Sequence, residues 1–455
     1  MPSPAPLAAV ILAAGKGTRM KSDLHKVLHP LAGQPMIAHL LGHLDRLEVA
    51  RKVIVTGAGR DQVETMLAAA KADFTTQEPQ LGTAHAVQQA EDALQGFDGD
   101  VLIMFGDVPL VTADTMRRMV ERLHGADHPA VVVLGFRPDD ALAYGRIIAD
   151  DDGRIVKMVE YKDANPAERA VNLCNSGLMA VRAKDLWSLL ARVGNDNAAQ
   201  EYYLPDIVMI ALADGRPSAV IETAAWEVAG INSRAELAAV ERDWQDRRRL
   251  QAMADGATLI APETVWFSHD TQLGRDVVVE PHVIFGPGVT IGDGVTIHAF
   301  SHLQGATVAH HADIGPYARL RPGADIGEHA KVGNFVEIKN AKLGKGAKVN
   351  HLSYIGDAEV GEKANIGAGT ITCNYDGFFK YQTVIGKGAF IGSNSALVAP
   401  VTIGDGAIVG AGSVVTRNVT ADALVLARGE QAERPGWAAR FRASMQARKD
   451  ARQKS

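Results

Sequence analysis

A period of six residues dominates the second half of this 455-residue chain. From about Leu273 to Val415 an apolar side chain opens each hexad. The series runs Leu273, Val279, Phe285, Ile291, Ile297 and Leu303, then Val308, Ile314, Leu320, Ile326, Val332 and Ile338. It restarts at Leu343, Val349 and Ile355, and again at Val360, Ile366 and Thr372. It closes with Ile385, Ile391, Leu397, Ile403, Val409 and Val415. Thr372 is the one polar member. Glycine often follows at once, as in Ile291-Gly292 and Ile403-Gly404. A helix repeats every ~3.6 residues and a strand every two, so neither produces this beat. A hexapeptide solenoid does: each short strand points one large side chain inward, and glycine lets the backbone turn the corner. Such a solenoid can be pure scaffold, so the beat specifies architecture and leaves function open.

Composition narrows the class. Hydrophobic residues make up 47% and charged residues 22%, the balance of a soluble globular protein with room for more than one domain. Low aromatic content, 5%, and 45 glycines suit a tight solenoid. A net charge of −6 argues against nucleic acid as a partner. Two cysteines, Cys174 and Cys373, make no disulfide framework and fit a reducing compartment. Met1–Pro6 lacks a basic n-region, and the apolar run Val10–Ala14 is too short for a signal core. No apolar run reaches the ~18 residues of a membrane span. The expectation is a cytoplasmic protein without membrane contact.

From Leu7 to about Ile231 the pattern changes. Strands are expected at Leu7–Ala13, Lys52–Thr56, Val101–Phe105 and Ala130–Phe136. Helices are expected at Met36–Leu47, Asp61–Ala70, Thr83–Leu94 and Ala113–Leu123. This alternation predicts a parallel or mixed sheet with helices on both faces, which binds ligands at the carboxyl ends of its strands. That rule directs attention to Ala14–Met20 and Gly106–Asp107. A glycine loop after the first strand, with Lys16, Arg19 and Lys26 close by, suits a triphosphate. A plain strand-to-helix loop fits the same spacing, which matches neither the dinucleotide nor the Walker fingerprint. Asp107, just past a strand, reads either as a helix-capping residue or as a ligand for a hard cation.

Leu12-Ala13-Ala14-Gly15-Lys16-Gly17-Thr18-Arg19-Met20, with Lys26-Val27-Leu28 downstream, resembles the signature of sugar-1-phosphate nucleotidyltransferases. Gln80-Leu81-Gly82-Thr83, Phe105-Gly106-Asp107-Val108-Pro109-Leu110 and Val159-Glu160-Tyr161-Lys162-Asp163 agree, in the same order. The family's usual Asp-Leu-Pro-Lys is Asp23-Leu24-His25-Lys26 here. The resemblance implies UTP as substrate and Mg²⁺ held by Asp107 and Asn232. It places Leu12, Ala13, Ala14, Gly15, Lys16, Lys26, Gln77, Gly82, Thr83, Gly145, Glu160, Asn175 and Asn232 around UTP and the UDP-sugar, with Arg19 and Lys26 in the catalytic set. The chemistry suits these residue types. A sugar phosphate is already ionised, so the reaction needs charge neutralisation and in-line placement more than a base.

Residues 232–254 read as a helical linker between a domain over 1–231 and a solenoid domain over 255–455. Ser233 caps it, with Glu236 three residues on. Leu237, Val240, Trp244 and Leu250 give it a narrow apolar stripe, and Arg247–Arg249 read as a solvated charge run.

Within the solenoid, several side chains exceed what a scaffold needs. Arg319 and Arg321 flank Leu320, Glu337 and Lys339 flank Ile338, and His351 and Tyr354 follow. Each alone also fits a solvated face. The hexads at 338–343 and 355–360 are one residue short, and Cys373–Lys380 breaks the beat as a protruding loop. Gly-Asn-Phe-Val-Glu-x-Lys (333–339), His-Leu-x-Tyr-x-Gly-Asp-Ala (351–358) and Gly-Ala-Gly-Thr-Ile-Thr-Cys-Asn-Tyr-Asp-Gly (367–377) closely resemble one enzyme family. It is the bacterial bifunctional N-acetylglucosamine-1-phosphate uridylyltransferase / glucosamine-1-phosphate N-acetyltransferase family, and the resemblance spans nearly the whole chain.

That resemblance implies a nucleotidyltransferase domain, a helical arm and a left-handed parallel β-helix that forms a homotrimer. It implies acetylation of glucosamine-1-phosphate by acetyl-CoA, then uridylyl transfer to N-acetylglucosamine-1-phosphate, feeding peptidoglycan and lipopolysaccharide precursors. His351 would be the general base, with Glu337 orienting or polarising it. Arg321 and Lys339 would hold the sugar phosphate, with Tyr354 and Asn365 on the sugar. Ala368, Asn374, Tyr375, Ser393, Ala411 and Arg428 would line the acetyl-CoA site, with the basic tail from Arg434 near a neighbour's coenzyme. An amino sugar's ammonium must lose a proton before attacking a thioester, and histidine has the matching pKa. Two other readings compete: a nucleotidyltransferase whose β-helix only assembles the oligomer, and a binding module with a degenerate enzyme domain. The first leaves His351, Lys339 and the 373–380 loop without purpose. Intact Lys16, Arg19, Lys26 and Asp107 oppose the second.

Overall fold

The computed structural model describes residues 5–141 and 144–453. Met1–Pro4, read above for a leader, and Lys454 and Ser455 of the basic tail lie outside the described residues. The chain divides between Leu250 and Gln251 into two compact units.

In the first unit the apolar runs Leu7–Ala13, Asp100–Phe105 and Val131–Phe136 form central strands of a mixed sheet. In spatial order its main strands are Ala219–Thr223, Val131–Phe136, Cys174–Arg182, Asp100–Phe105, Leu7–Ala13, Arg51–Thr56 and Asp73–Thr76. Cys174–Arg182 runs antiparallel to both of its neighbours, and the other pairs along this order are parallel. Alternation divides each strand between two cores. Ala8, Val10 and Leu12 face a layer containing helices Thr83–Gln88, Ala183–Leu190 and Asp206–Ala213. Ala9, Ile11 and Ala13 face helices Met36–Arg46 and Ala113–Leu123. Burial on both faces is what makes these strands apolar throughout.

Three readings change here. The expected helix over 83–94 stops at Gln88. Gln89, Ala90 and Glu91 donate to carbonyls three residues back, which tightens the last turn, and Asp92–Leu94 forms a separate 3₁₀ turn. The helix expected over 61–70 covers Arg60–Met66. In the helix Arg234–Ala254 the stripe residue Val240 is buried in the first unit's core and Glu241 accepts a 2.8 Å bond from the Ala32 N–H, but the Arg247–Arg249 run is not uniformly solvated. Arg249 is buried beside Asp246, Arg247 stacks 3.4 Å over Trp226, and Leu250 is exposed instead of joining the stripe. None of the described helices is long and apolar enough to cross a membrane. Cys174 and Cys373 are free thiols.

The second unit is a left-handed parallel β-helix. Its hexad residues stack in three inward columns. Leu303, Leu320, Ile338, Ile355, Thr372, Leu397 and Val415 form one of them. The coils begin earlier than the beat suggests. Leu259 pairs with Val279, and Phe267 stacks on Phe285 with ring centroids 5.2 Å apart. They also end later, with Val425 beside Val409. Irregular spacing in the first coil hides its period.

The slips in the beat all fall at one corner, just after this column. At two of these slips the strand runs straight through the corner, as Glu337–Leu343 and Tyr354–Val360. The Cys373–Lys380 loop leaves from the same corner. Thr372 belongs inside: it is buried, and its hydroxyl accepts from Gly356 N at 2.8 Å and donates to Gly356 O at 3.0 Å.

Candidate active sites

A pocket of about 370 Å³ opens at the carboxyl ends of strands Leu7–Ala13 and Asp100–Phe105. Leu12, Ala13, Ala14, Gly15, Lys26, Gln77, Gly82, Thr83 and Asp107 line it. Two glycines are needed for space. Gly17 adopts φ 58°, and a Cβ there would lie 2.7 Å from Lys26 Cβ. Gly82 adopts φ 125°, and a Cβ there would lie 2.5 Å from Tyr202 O. Gln77 closes the Gly82 turn by donating to its carbonyl at 2.8 Å. Lys16 lines an adjoining cleft of about 450 Å³ that shares Gln77 and Gln80. Arg19 is exposed on the turn Thr18–Met20 and lines neither space.

Lys26, Asp107 and Asn232 meet at one point. The Lys26 ammonium bonds Asp107 Oδ2 and lies 3.2 Å from Asn232 Oδ1, with Lys26 and Asp107 both largely buried. Two oxygens from distant segments thus converge on a cationic centre. Among the described residues no three His, Cys, Asp or Glu side chains form a metal cluster.

Gly145, Glu160 and Asn175 form a second group. Asn175 N donates to Gly145 O at 2.9 Å, and a Cβ on Gly145 would lie 3.1 Å from Glu160 Oε1. Burial, and then Asp206 and Asp163 nearby, push the Glu160 carboxyl above the ordinary range. Reading the sequence missed Gln80, whose side-chain amide donates to Ala14 O, and Glu201 on the pocket wall. Gln80 heads the quoted Gln-Leu-Gly-Thr motif, so its signal was present.

In the β-helix the outward residues fall on one face. Register places Arg319 beside Glu337 and Glu337 beside Tyr354, while Lys339 faces Gly356. His351 stands at the leading edge of this face, three residues before Tyr354. Above it at the same corner come Ala368, Ser393 and Ala411, linked by Gly369 N to His351 O, Asn394 N to Ala368 O and Gly412 N to Ser393 O. Arg428 joins them through a 2.6 Å bond to Ala411 O. His351 also borders a groove of about 610 Å³ lined by Asn334, Phe335, Tyr317 and His298.

Arg321, Lys339 and the 373–380 loop occupy the trailing edge. Asn374 is buried, bonded to Asp357 and 3.5 Å from the Tyr354 hydroxyl, whereas Tyr375, Phe378 and Phe379 are exposed. The Lys380 ammonium alongside lowers Lys339 from the ordinary lysine value. Lys380 therefore joins the cationic group, a placement its position in an irregular loop concealed.

Two expectations change. Glu337 does not hold His351: its carboxylate takes Arg321 at 2.7 Å and Arg319 at 3.7 Å. The group that holds His351 is Asn334, whose Oδ1 lies 2.7 Å from Nδ1. Asn365 lies on the neighbouring face, between Lys348 and Phe390, and is not gathered with Tyr354.

Residues 9–202 match the model of the MobA-like NTP transferase domain. Residues 270–305 and 382–417 match the bacterial transferase hexapeptide model of six repeats. The chain is 75% identical over 447 residues to a bifunctional protein GlmU of Rhizorhabdus wittichii, covering 98% of this chain and 99% of the relative. It is 65% identical to that of Sphingopyxis alaskensis, covering 99% of each, and 62% identical to that of Rhodospirillum rubrum, covering 96% and 98%. The chain belongs to the bifunctional GlmU family.

As a GlmU-family member it is both an acetyltransferase and a uridylyltransferase. It acetylates glucosamine-1-phosphate from acetyl-CoA, then transfers uridylyl from UTP to the product, releasing pyrophosphate and making UDP-N-acetylglucosamine. Intact loops and edges on both units oppose the scaffold-only and degenerate-enzyme readings.

Proposed function

We propose that uridylyl transfer takes place in the pocket around Lys26 and acetyl transfer on the β-helix face between His351 and Lys339. The convergence of Lys26, Asp107 and Asn232 on one point carries the first assignment. Leu12–Gly15, Gln77, Gly82 and Thr83 hold the uridine nucleotide. Lys16 in the adjoining cleft neutralises the phosphate chain, and Arg19 acts from the rim. Gly145, Glu160 and Asn175 hold the sugar. The phosphate oxygen of N-acetylglucosamine-1-phosphate attacks the α-phosphorus, the bond to the β-phosphate breaks, and pyrophosphate leaves. The nucleophile is ionised beforehand, so the protein's part is alignment and charge neutralisation.

Asp107 and Asn232 fit Mg²⁺. They are hard oxygen donors converging on a point that favours a cation, and few protein ligands leave room for phosphate oxygens and water. Bound there, Mg²⁺ would supply Lewis-acid neutralisation of the phosphates. The experiment is a Mg²⁺ titration of pyrophosphate release. Asp107→Asn should raise the Mg²⁺ requirement and cut the maximal rate by ~100-fold or more. An unchanged Mg²⁺ dependence contradicts the assignment.

For acetyl transfer, the bond to Asn334 directs His351 Nδ1–H inward and leaves the Nε2 lone pair as base. The base takes a proton from the amino group of glucosamine-1-phosphate, the nitrogen attacks the thioester carbonyl, and coenzyme A leaves as thiol. Arg321, Lys339 and Lys380 receive the sugar phosphate, with Glu337 fixing Arg321 and Tyr354 between them. Ala368, Ser393, Ala411 and Arg428 along the leading edge, and Asn374 and Tyr375 on the loop, receive acetyl-CoA. Asn365 and the exposed helix Trp437–Gln453 act across chains: we propose a homotrimer in which a neighbour completes this face. The free thiols agree with a cytoplasmic location.

A further inference from the structure

The segment that delivers Lys26 is held by a side chain outside every motif quoted above. Gln62, on the helix Arg60–Met66, lies across the backbone of residues 23–25. Its Nε2 donates to Asp23 O at 3.0 Å, and its Oε1 accepts from the His25 N–H at 2.9 Å. One planar amide thus satisfies a carbonyl and an N–H two residues apart, as a neighbouring strand would.

His25 completes the contact by shape. The residue is only 8% exposed, and neither ring nitrogen has a hydrogen-bond partner among the described residues. The ring packs over Gly59, which has φ 86° and opens the helix carrying Gln62. A Cβ on Gly59 would lie 3.0 Å from His25 Cδ2. The next residue is Lys26, whose stem rests on Gly17 and whose ammonium reaches Asp107 and Asn232.

We propose that Gln62 is a positioning residue for uridylyl transfer, acting through the His25 backbone to set Lys26. This rests on the assignment of Lys26 given under the proposed function. The clamp has a specific consequence. His25 sits at φ −57°, within the range that a proline ring locks. A proline at 25 would hold the backbone by its ring and remove the N–H that Gln62 accepts. The clamp and a proline are therefore alternative ways of fixing one segment, and the second should make the first dispensable.

The experiment measures both activities of the full chain for Gln62→Leu, His25→Pro, the double variant and Lys26→Ala. Gln62→Leu should lower kcat/KM for uridylyl transfer by about 10-fold, mainly in kcat, with acetyl transfer unchanged. Adding His25→Pro should restore the rate to within about 2-fold of the parent, a non-additivity that independent sites do not show. Full activity of Gln62→Leu, with Lys26→Ala inactive, overturns the clamp and leaves the Lys26 assignment standing. An active Lys26→Ala overturns that assignment itself. A Gln62→Leu defect that His25→Pro does not rescue, or that lowers acetyl transfer equally, shows a general packing role and also overturns the clamp.

Discussion

The imidazole of His351 is bound by Asn334, one coil below, with Nδ1 2.7 Å from the amide oxygen. An amide oxygen only accepts, so the proton sits on Nδ1 and Nε2 is free to act as base. Asn334→Ala should lower acetyl transfer by ~10-fold or more by releasing this orientation, and leave uridylyl transfer unchanged. Asn334→Asp should move the acid limb of the acetyl-transfer pH profile upward, because a carboxylate stabilises the imidazolium. An Asn334→Ala protein with normal acetyl transfer contradicts the arrangement.

Lys339 and Lys380 stand side by side, and the Lys380 ammonium raises the cost of charging Lys339. An anion between them relieves that repulsion. Lys380→Ala should raise KM for glucosamine-1-phosphate by ~10-fold at low salt and flatten its salt dependence, with KM for acetyl-CoA little changed. Steady-state kinetics at two ionic strengths check this.

Thr372 is the hexad residue that is not apolar, and its hydroxyl satisfies the Gly356 backbone on both sides. Thr372→Val preserves shape and leaves that N–H without its acceptor, at a cost of ~1–3 kcal/mol. The loop at 373–380 starts from this point, so KM for acetyl-CoA should rise with the loss of stability. Thermal unfolding and thiol-release kinetics on the same preparation measure both.

Burial lowers the pKa of His25, His29 and His43 below 6.5, with Lys26, Arg234 and Arg46 respectively adding to the effect. The folded first unit therefore holds these rings neutral while the unfolded chain protonates. The stability they contribute is present above pH 6.5 and is lost as pH falls from 6.5 towards the depressed folded values. His43 lies outside the pocket, on the helix Met36–Arg46. His43→Leu should make urea unfolding of the first unit less acid-sensitive, and an unchanged slope below pH 6.5 contradicts this.

The period of six made the β-helix legible, because an inward side chain per strand is a physical requirement of stacking coils. Its first coil was not legible, since the spacing from Leu259 to Phe267 does not keep the beat. The glycine loop, Asp107 and Asn232 were named from motifs, and the structure brings the latter two together around Lys26. The partner of His351 is not legible in sequence, because Asn334 lies a coil away and only coil register sets it beside the ring. Coil register also separates Asn365 from Tyr354, which a linear reading of outward residues cannot do. Gln62 acts across 37 positions through two backbone bonds, a relation that leaves no local signature.

On the proposed assignment, two separate sets of side chains perform the two transfers. The most direct measurement records thiol release from acetyl-CoA and pyrophosphate release from UTP on the same preparations of His351→Ala and Asp107→Ala. His351→Ala is expected to lose acetyl transfer and retain uridylyl transfer, and Asp107→Ala to show the reverse. Loss of both activities in either folded variant, or retention of acetyl transfer by His351→Ala, would contradict the assignment.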